Sequence, residues 1–147
     1  YHHFKDKEGI ARALYNQLLE HMNVLIDHIE ASFQTAKERS YAIIRTLFDL
    51  TEKEPEVMQF IIHARHKEFL PNEKSICSAS AFVRMRSFVF QGIESKEIRE
   101  MDPLVAAMIV YGGAIRMICL RLDDVIEVPL PDMLDDLWTN TWSGLDP

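Results

Sequence analysis

Tyr1-His2-His3-Phe4-Lys5-Asp6-Lys7-Glu8 leads into a long amphipathic run that ends near Ser32. An aromatic ring, two imidazoles and two lysines fall within the first seven residues, a surface suited to meet an anion. Asp6 is placed to cap a helix, and Glu8 follows in the first turn, where the helix dipole favours a carboxylate. Leu14, Leu18, Met22, Leu25 and Ile29 then recur at spacings of three and four, one apolar stripe of a helix. Arg12, Gln17, Glu20, Asp27 and Glu30 occupy the other side.

The rest of the chain repeats the helical period. Thr35 and Glu38 have capping-box spacing, so a second helix is expected from there to about Thr51. Pro55 fits the first turn of a third helix carrying Val57, Met58, Phe60, Ile61, Ile62 and Phe69. A loop over 69–74 precedes a fourth helix, about Ser75–Glu94, that is apolar on most sides and belongs in the middle of a bundle. Asp102-Pro103 opens a fifth helix reaching about Leu122, with Asp as N-cap and Pro in the first position. Val128-Pro129-Leu130-Pro131 breaks the chain again before a last short helix, Asp132–Trp142. Alternating strand patterns are hard to find. The expectation is an all-α protein of about six helices.

Composition narrows the function. With 147 residues and 48% hydrophobic side chains, one domain with a sizeable core is expected. The net charge of −7 disfavours DNA binding by the bulk of the chain. From Asp123 onward there are carboxylates but no Lys or Arg. Cys77 and Cys119 are expected as buried free thiols in a reducing compartment. The apolar stretch 105–122 is broken by Arg116 and Arg121, which favours a core or interface helix over a membrane span. A soluble cytoplasmic protein, with no membrane partner, is the expectation.

The opening octapeptide resembles the segment that closes the helix-turn-helix of TetR-family transcriptional regulators, where a Tyr-x-His-Phe-x-x-Lys-Glu pattern joins the recognition helix to the next helix. Gly92-Ile93, Ile98-Arg99 and Asp102-Pro103 are similar to that family's connection into its penultimate helix. The resemblance implies that residues 1–6 end a DNA-binding domain, with Tyr1, His2 and Lys7 touching the DNA backbone. It implies that residues 7–147 form a ligand-binding and dimerisation domain. The last two helices would join their copies in a homodimeric four-helix bundle, and the intact protein would bind operator DNA. Most of the helix-turn-helix is not in this sequence, and 34–91 matches only in helical order.

Candidate residues follow. Ala106, Gly112 and Gly113 are small positions on the fifth helix that would let another helix approach, while Leu134, Leu137, Trp138 and Trp142 are too much apolar area to leave exposed. These are expected at the dimer interface, with the edge of the core as the alternative for the last helix and an intrachain neighbour as the alternative for the glycines. Phe48, Phe60, Phe82, Met85, Met108 and Tyr111 could line an apolar cavity for an unknown small-molecule effector, although ordinary core looks the same. Arg84, Arg86 and Arg116 each lie in an apolar run, where an unpaired charge is costly. Arg86 and Arg116 rank ahead of Arg84 as anion-binding groups, with pairing to a carboxylate as the alternative. His63 is a further candidate for the cavity wall. His63-x-x-His66 is weak as a metal motif, because Arg65 and Lys67 flank it, and no metal is expected. The chain has no Gly-rich phosphate loop, nucleophile elbow or Cys-x-x-Cys, so neither an enzyme nor a cofactor is expected. The competing reading is a helical protein-interaction module without a ligand.

Overall fold

The computed structural model describes residues 2–62, 67, 70–73 and 79–147, with the side chains of residues 2–5 set aside. The protein is all-α. Six helices occur among the described residues: α1 (His2–Ser32), α2 (Ala36–Lys53), α3 (Pro55–Ile62), α4 (Ser80–Glu94), α5 (Pro103–Leu122) and α6 (Leu134–Ser143). A short 3-10 turn, Leu130–Met133, leads into α6.

Local chemistry sets the starts of α2 and α5. The Glu38 N–H donates to Thr35 Oγ1 at 3.1 Å and the Thr35 N–H donates to Glu38 Oε1 at 3.2 Å, a closed capping box. Asp102 Oδ1 accepts from the N–H groups of Leu104 and Val105 at 2.9 and 3.1 Å, and Pro103 occupies the first turn, where its missing donor costs nothing. At the far end of α5, Asp124 takes φ 61°, and the Val125 N–H reaches back to the Leu120 carbonyl at 2.9 Å. That left-handed stop satisfies carbonyls that would otherwise be orphaned.

Two expectations for α1 need correction. The helix is already formed at His2 and runs through Asp6 without a break, so Asp6 is not its N-cap. Nothing between His2 and Lys5 is a helix breaker, so no chain stop forces the cap there. The buried stripe is Ala11, Tyr15, Met22, Ile26 and Ile29, whereas Leu14 is exposed and Leu18 and Leu25 lie half-buried at its edge. Leu14-Tyr15, Leu18-Leu19 and Leu25-Ile26 are adjacent apolar pairs, so the period alone supports either of two stripes. Packing against α2 and α4 selects the second.

α4 sits against α1, α2 and α5. Its buried face is Ala81, Phe82, Met85, Phe88, Val89, Gly92 and Ile93. Where α4 ends, the Glu97 carboxylate accepts from the N–H groups of Ala36 and Lys37 at 2.8 and 3.3 Å, satisfying the start of α2 from across the chain. α5 is long and apolar enough to cross a membrane by length and composition alone, a test that core helices also pass. Here Ala106, Ala107, Val110, Tyr111, Ala114 and Ile118 face the interior.

Glu52 and Arg121 tie α2 to α5. The guanidinium donates through Nη2 to Oε1 at 3.0 Å and through Nε to Oε2 at 3.1 Å, and the Leu130 N–H adds a third bond at 3.2 Å. The Arg121 hydrogen bonds, chiefly, hold the Glu52 carboxyl below its usual range. A carboxyl lowered in the folded state contributes stability that is fully present above its unfolded value and lost as pH falls through the folded one. The urea midpoint should therefore drop on acidification below about pH 4, and the Glu52→Gln variant should show a shallower drop. Equal acid sensitivity in both proteins would show that the pair carries no pH-dependent stability.

Candidate effector cavity

Phe82, Met85 and Arg86 stand at helical spacing on one side of α4. Met108, Tyr111 and Ile115 do the same on α5. Together with Ile62 at the end of α3 they enclose a cavity of about 120 Å³. An apolar cavity of roughly 150 Å³ is enough to admit benzene, and this volume is somewhat smaller.

The walls differ in rigidity. Tyr111 is buried, and its O–H donates to the Met85 carbonyl at 2.8 Å, with Ser40 Oγ at 3.5 Å from the same oxygen. That bond fixes α5 against α4. Burial pushes the Tyr111 hydroxyl far above its ordinary pKa, so it stays neutral. Met85 and Met108 are unbranched thioethers that adapt to irregular shapes. Met85 is buried, whereas Met108 is 53% exposed and also borders a shallow hollow on the outside of α5 with Asp102, Leu104, Val105 and Ile109.

Arg86 is the cationic group on the cavity wall. It is half-buried and finds no ion pair or hydrogen bond among the described residues. Arg84, two positions earlier, is different. It reaches α1, with Nη2 at 2.7 Å from Asp27 and 3.2 Å from Glu30, while Nη1 donates to the Asn23 carbonyl and side chain at 3.2 Å. Arg84 clamps two helices, and Arg86 is left with donors that no described residue uses, beside an apolar space.

The chain matches no family model and no curated protein. The chemistry of the cavity therefore rests on its own geometry. Its polar groups are a guanidinium and a neutral phenol whose proton is already donated. Such a wall can hold an anion through charge-assisted hydrogen bonds. Among the described residues, no group of three or more His, Cys, Asp or Glu side chains converges as a metal site.

Five of the sequence candidates thus come together: Phe82, Met85, Arg86, Met108 and Tyr111. Phe48 does not join them; it is fully buried on α2 and belongs to the core. Phe60 packs half-buried against that core and is absent from the cavity wall. Arg116 is exposed on the outer side of α5. His63 lies outside the described residues, as do His66, Cys77 and Tyr1. The side chain of His2 is likewise outside them, and Lys7 is exposed on α1. Ile62 and Ile115 line the cavity and were missed, because an isoleucine in a helical stripe carries no mark that separates wall from core. Cys119 is half-buried rather than buried, and burial raises its thiol pKa.

The interface candidates also divide. Ala106, Leu134, Trp138 and Trp142 are buried within the chain itself, so they are not available to a second copy. Trp138 packs edge-on against Tyr41 at 5.6 Å and lies 5.5 Å from Trp142, and the Lys37 ammonium sits 5.5 Å over the Trp142 ring. The tryptophan area is spent on holding α6 to α2. Leu137 is half-buried, and its Cδ1 would meet a Cβ placed on Gly113 at 3.4 Å. Gly112 faces open space.

A larger groove of about 720 Å³ runs between the end of α1 and α2, bordered by His28, Phe33, Lys37, Tyr41, Arg45 and Trp138. His28, Phe33, Lys37 and Arg45 are exposed there, so the charges of Lys37 and Arg45 are already hydrated. The smaller cavity is lined mostly by apolar side chains around one guanidinium, the mix of apolar wall and few polar groups that orients a small ligand.

Proposed function

We propose that this chain is the effector-sensing and dimerisation domain of a TetR-like transcriptional regulator, a cytoplasmic repressor whose effector is a small aromatic or branched carboxylate. The observation that carries the reading is the Arg86 guanidinium, unpaired among the described residues, on the wall of a small apolar cavity. The six-helix order and the opening octapeptide, which from His2 onward lies within α1, support the regulator class.

The mechanism runs through α4. An occupant touching Phe82, Met85 and Arg86 bears on the helix whose Arg84 grips Asp27 and Glu30 of α1. A change in α4 is thereby passed to α1, which would be joined at its start to the DNA-reading domain. Two such heads must fit half-sites about 34–36 Å apart, so a small tilt of α1 spoils the register. The ligand acts only as far as it binds the two arrangements unequally.

Thermal-shift measurement with benzoate, phenylacetate and isovalerate, each against a neutral analogue, tests this. A carboxylate at 100 times its dissociation constant should stabilise the fold by about 2.7 kcal/mol, a rise of several degrees. If none of the acids raises the melting temperature above its neutral analogue, the reading fails.

A further inference from the structure

The groove between the end of α1 and α2 takes no part in the inner cavity. Its most buried lining residues are Ile29 on α1, Ala42 on α2 and Trp138 on α6, so three helices meet along it. Sites that hold drug-sized molecules have volumes of roughly 300–1,000 Å³. The groove, at about 720 Å³, falls within that range, and the inner cavity, at about 120 Å³, falls below it.

One wall of the groove is a held aromatic ring. Tyr41 donates its hydroxyl proton to Asp135 Oδ1 at 2.8 Å and meets Trp138 edge-on at 5.6 Å, so its ring is fixed from two sides. Phe33 stands 37% exposed just past the end of α1. A fixed ring favours a flat aromatic partner, because offset-stacked and edge-on pairs add to simple burial.

Charge along the groove is uneven. Lys37, Tyr41 and Arg45 recur every four residues and share one face of α2. The Lys37 ammonium sits over Trp142. Arg45 is exposed and finds no ion pair or hydrogen bond among the described residues. The nearby carboxylates are engaged elsewhere. Glu38 Oε1 accepts from the N–H and the hydroxyl of Thr35, and Asp135 accepts from Tyr41. Asp49, one turn beyond Arg45, is half-buried and makes no ion pair with it. A carboxylate there repels a second negative charge, which limits a bound acid to one.

We propose that this groove is a second ligand site, separate from the inner cavity, for a flat two-ring monocarboxylic acid. The rings lie against Tyr41 and the floor of Ile29 and Ala42, and the carboxylate meets Arg45. The apolar floor contributes most of the binding. Arg45, already hydrated, adds the preference for an acid over its neutral ester. The two linings share no residue, so the site does not depend on the effector reading.

2-Naphthoate and its methyl ester test the site, with the indole N–H resonances as reporters. The tryptophans of the chain are Trp138 and Trp142, and neither borders the inner cavity. 2-Naphthoate should shift the Trp138 resonance and bind more tightly than the ester. Arg45→Gln should weaken the acid by about fivefold, the scale of an exposed charge pair, and leave the ester unchanged. Ala42→Leu, which fills the floor, should abolish the shift with helical content retained, since leucine is a good helix former. Arg86→Met should titrate like the parent. A Trp138 resonance unmoved by millimolar 2-naphthoate would overturn the site. So would full binding by Ala42→Leu, or equal affinity for acid and ester in the parent, or an Arg45→Gln variant that binds the acid as the parent does. Loss of the shift in Arg86→Met would overturn it too, by placing the acid in the inner cavity.

Discussion

Replacing Arg86 by methionine should remove carboxylate binding while leaving the fold intact or firmer. The guanidinium is the cavity's charged donor, and it has no partner among the described residues whose loss would offset the change. A hydrogen bond to a charged group contributes about 1.5–3 kcal/mol, so losing one or two of them weakens binding by roughly 10²-fold or more. Methionine keeps the length of the stem and packs against Phe82 and Ile115 without a charge to desolvate. Exchanging an unpaired half-buried charge for an apolar side chain is neutral or stabilising in many settings. The expected pattern is a flat benzoate titration by calorimetry, an unchanged response to neutral aromatics, and a urea midpoint no lower than that of the parent. An unaltered benzoate affinity would mean that the carboxylate binds elsewhere.

Gly92→Val is expected to cost about 3 kcal/mol of stability or more. A Cβ at Gly92 would lie 2.7 Å from Ala36 Cβ and 2.9 Å from Ile98 Cδ1. The isoleucine tip can rotate aside, but the alanine methyl cannot. Ala36 opens α2, held there by the Glu97 carboxylate and the Thr35 cap, so moving it strips two anchors at once. Domains of this size hold only about 5–15 kcal/mol in total, so the midpoint of urea unfolding should fall well below the parent's. Gly92→Ala should show a milder form of the loss, and adding Ala36→Gly should recover part of it. No recovery in the double variant would place the cost in helix geometry rather than in this contact.

The parts of the fold written in local chemistry were readable from the sequence. Thr35 with Glu38, and Asp102 with Pro103, act over three residues, and no distant group is needed to interpret them. The stripe of α1 was ambiguous, because adjacent apolar pairs satisfy the helical period in two phases and only α2 and α4 choose between them. The cavity was half legible. Phe82, Met85, Met108 and Tyr111 mark an aromatic and methionine-rich wall, yet Phe48 and Phe60 carry the same signature and lie elsewhere. Arg84, Arg86 and Arg116 look alike in sequence; their roles diverge only through the direction each takes around its helix, toward α1, toward the cavity and toward solvent. Trp138 and Trp142 announced a buried surface. What covers them, Tyr41 and Lys37 of α2, is distant in the chain and left no local mark.

The most direct test of the central claim uses methionine methyl groups as reporters. With ¹³C-methyl methionine, benzoate should shift the resonances of Met85 and Met108, which border the cavity, and leave that of Met22, buried on α1 and absent from the cavity wall, in place. The shifts should vanish in Arg86→Met. Saturating benzoate that leaves Met85 and Met108 unmoved would contradict the assignment of this cavity as the effector site.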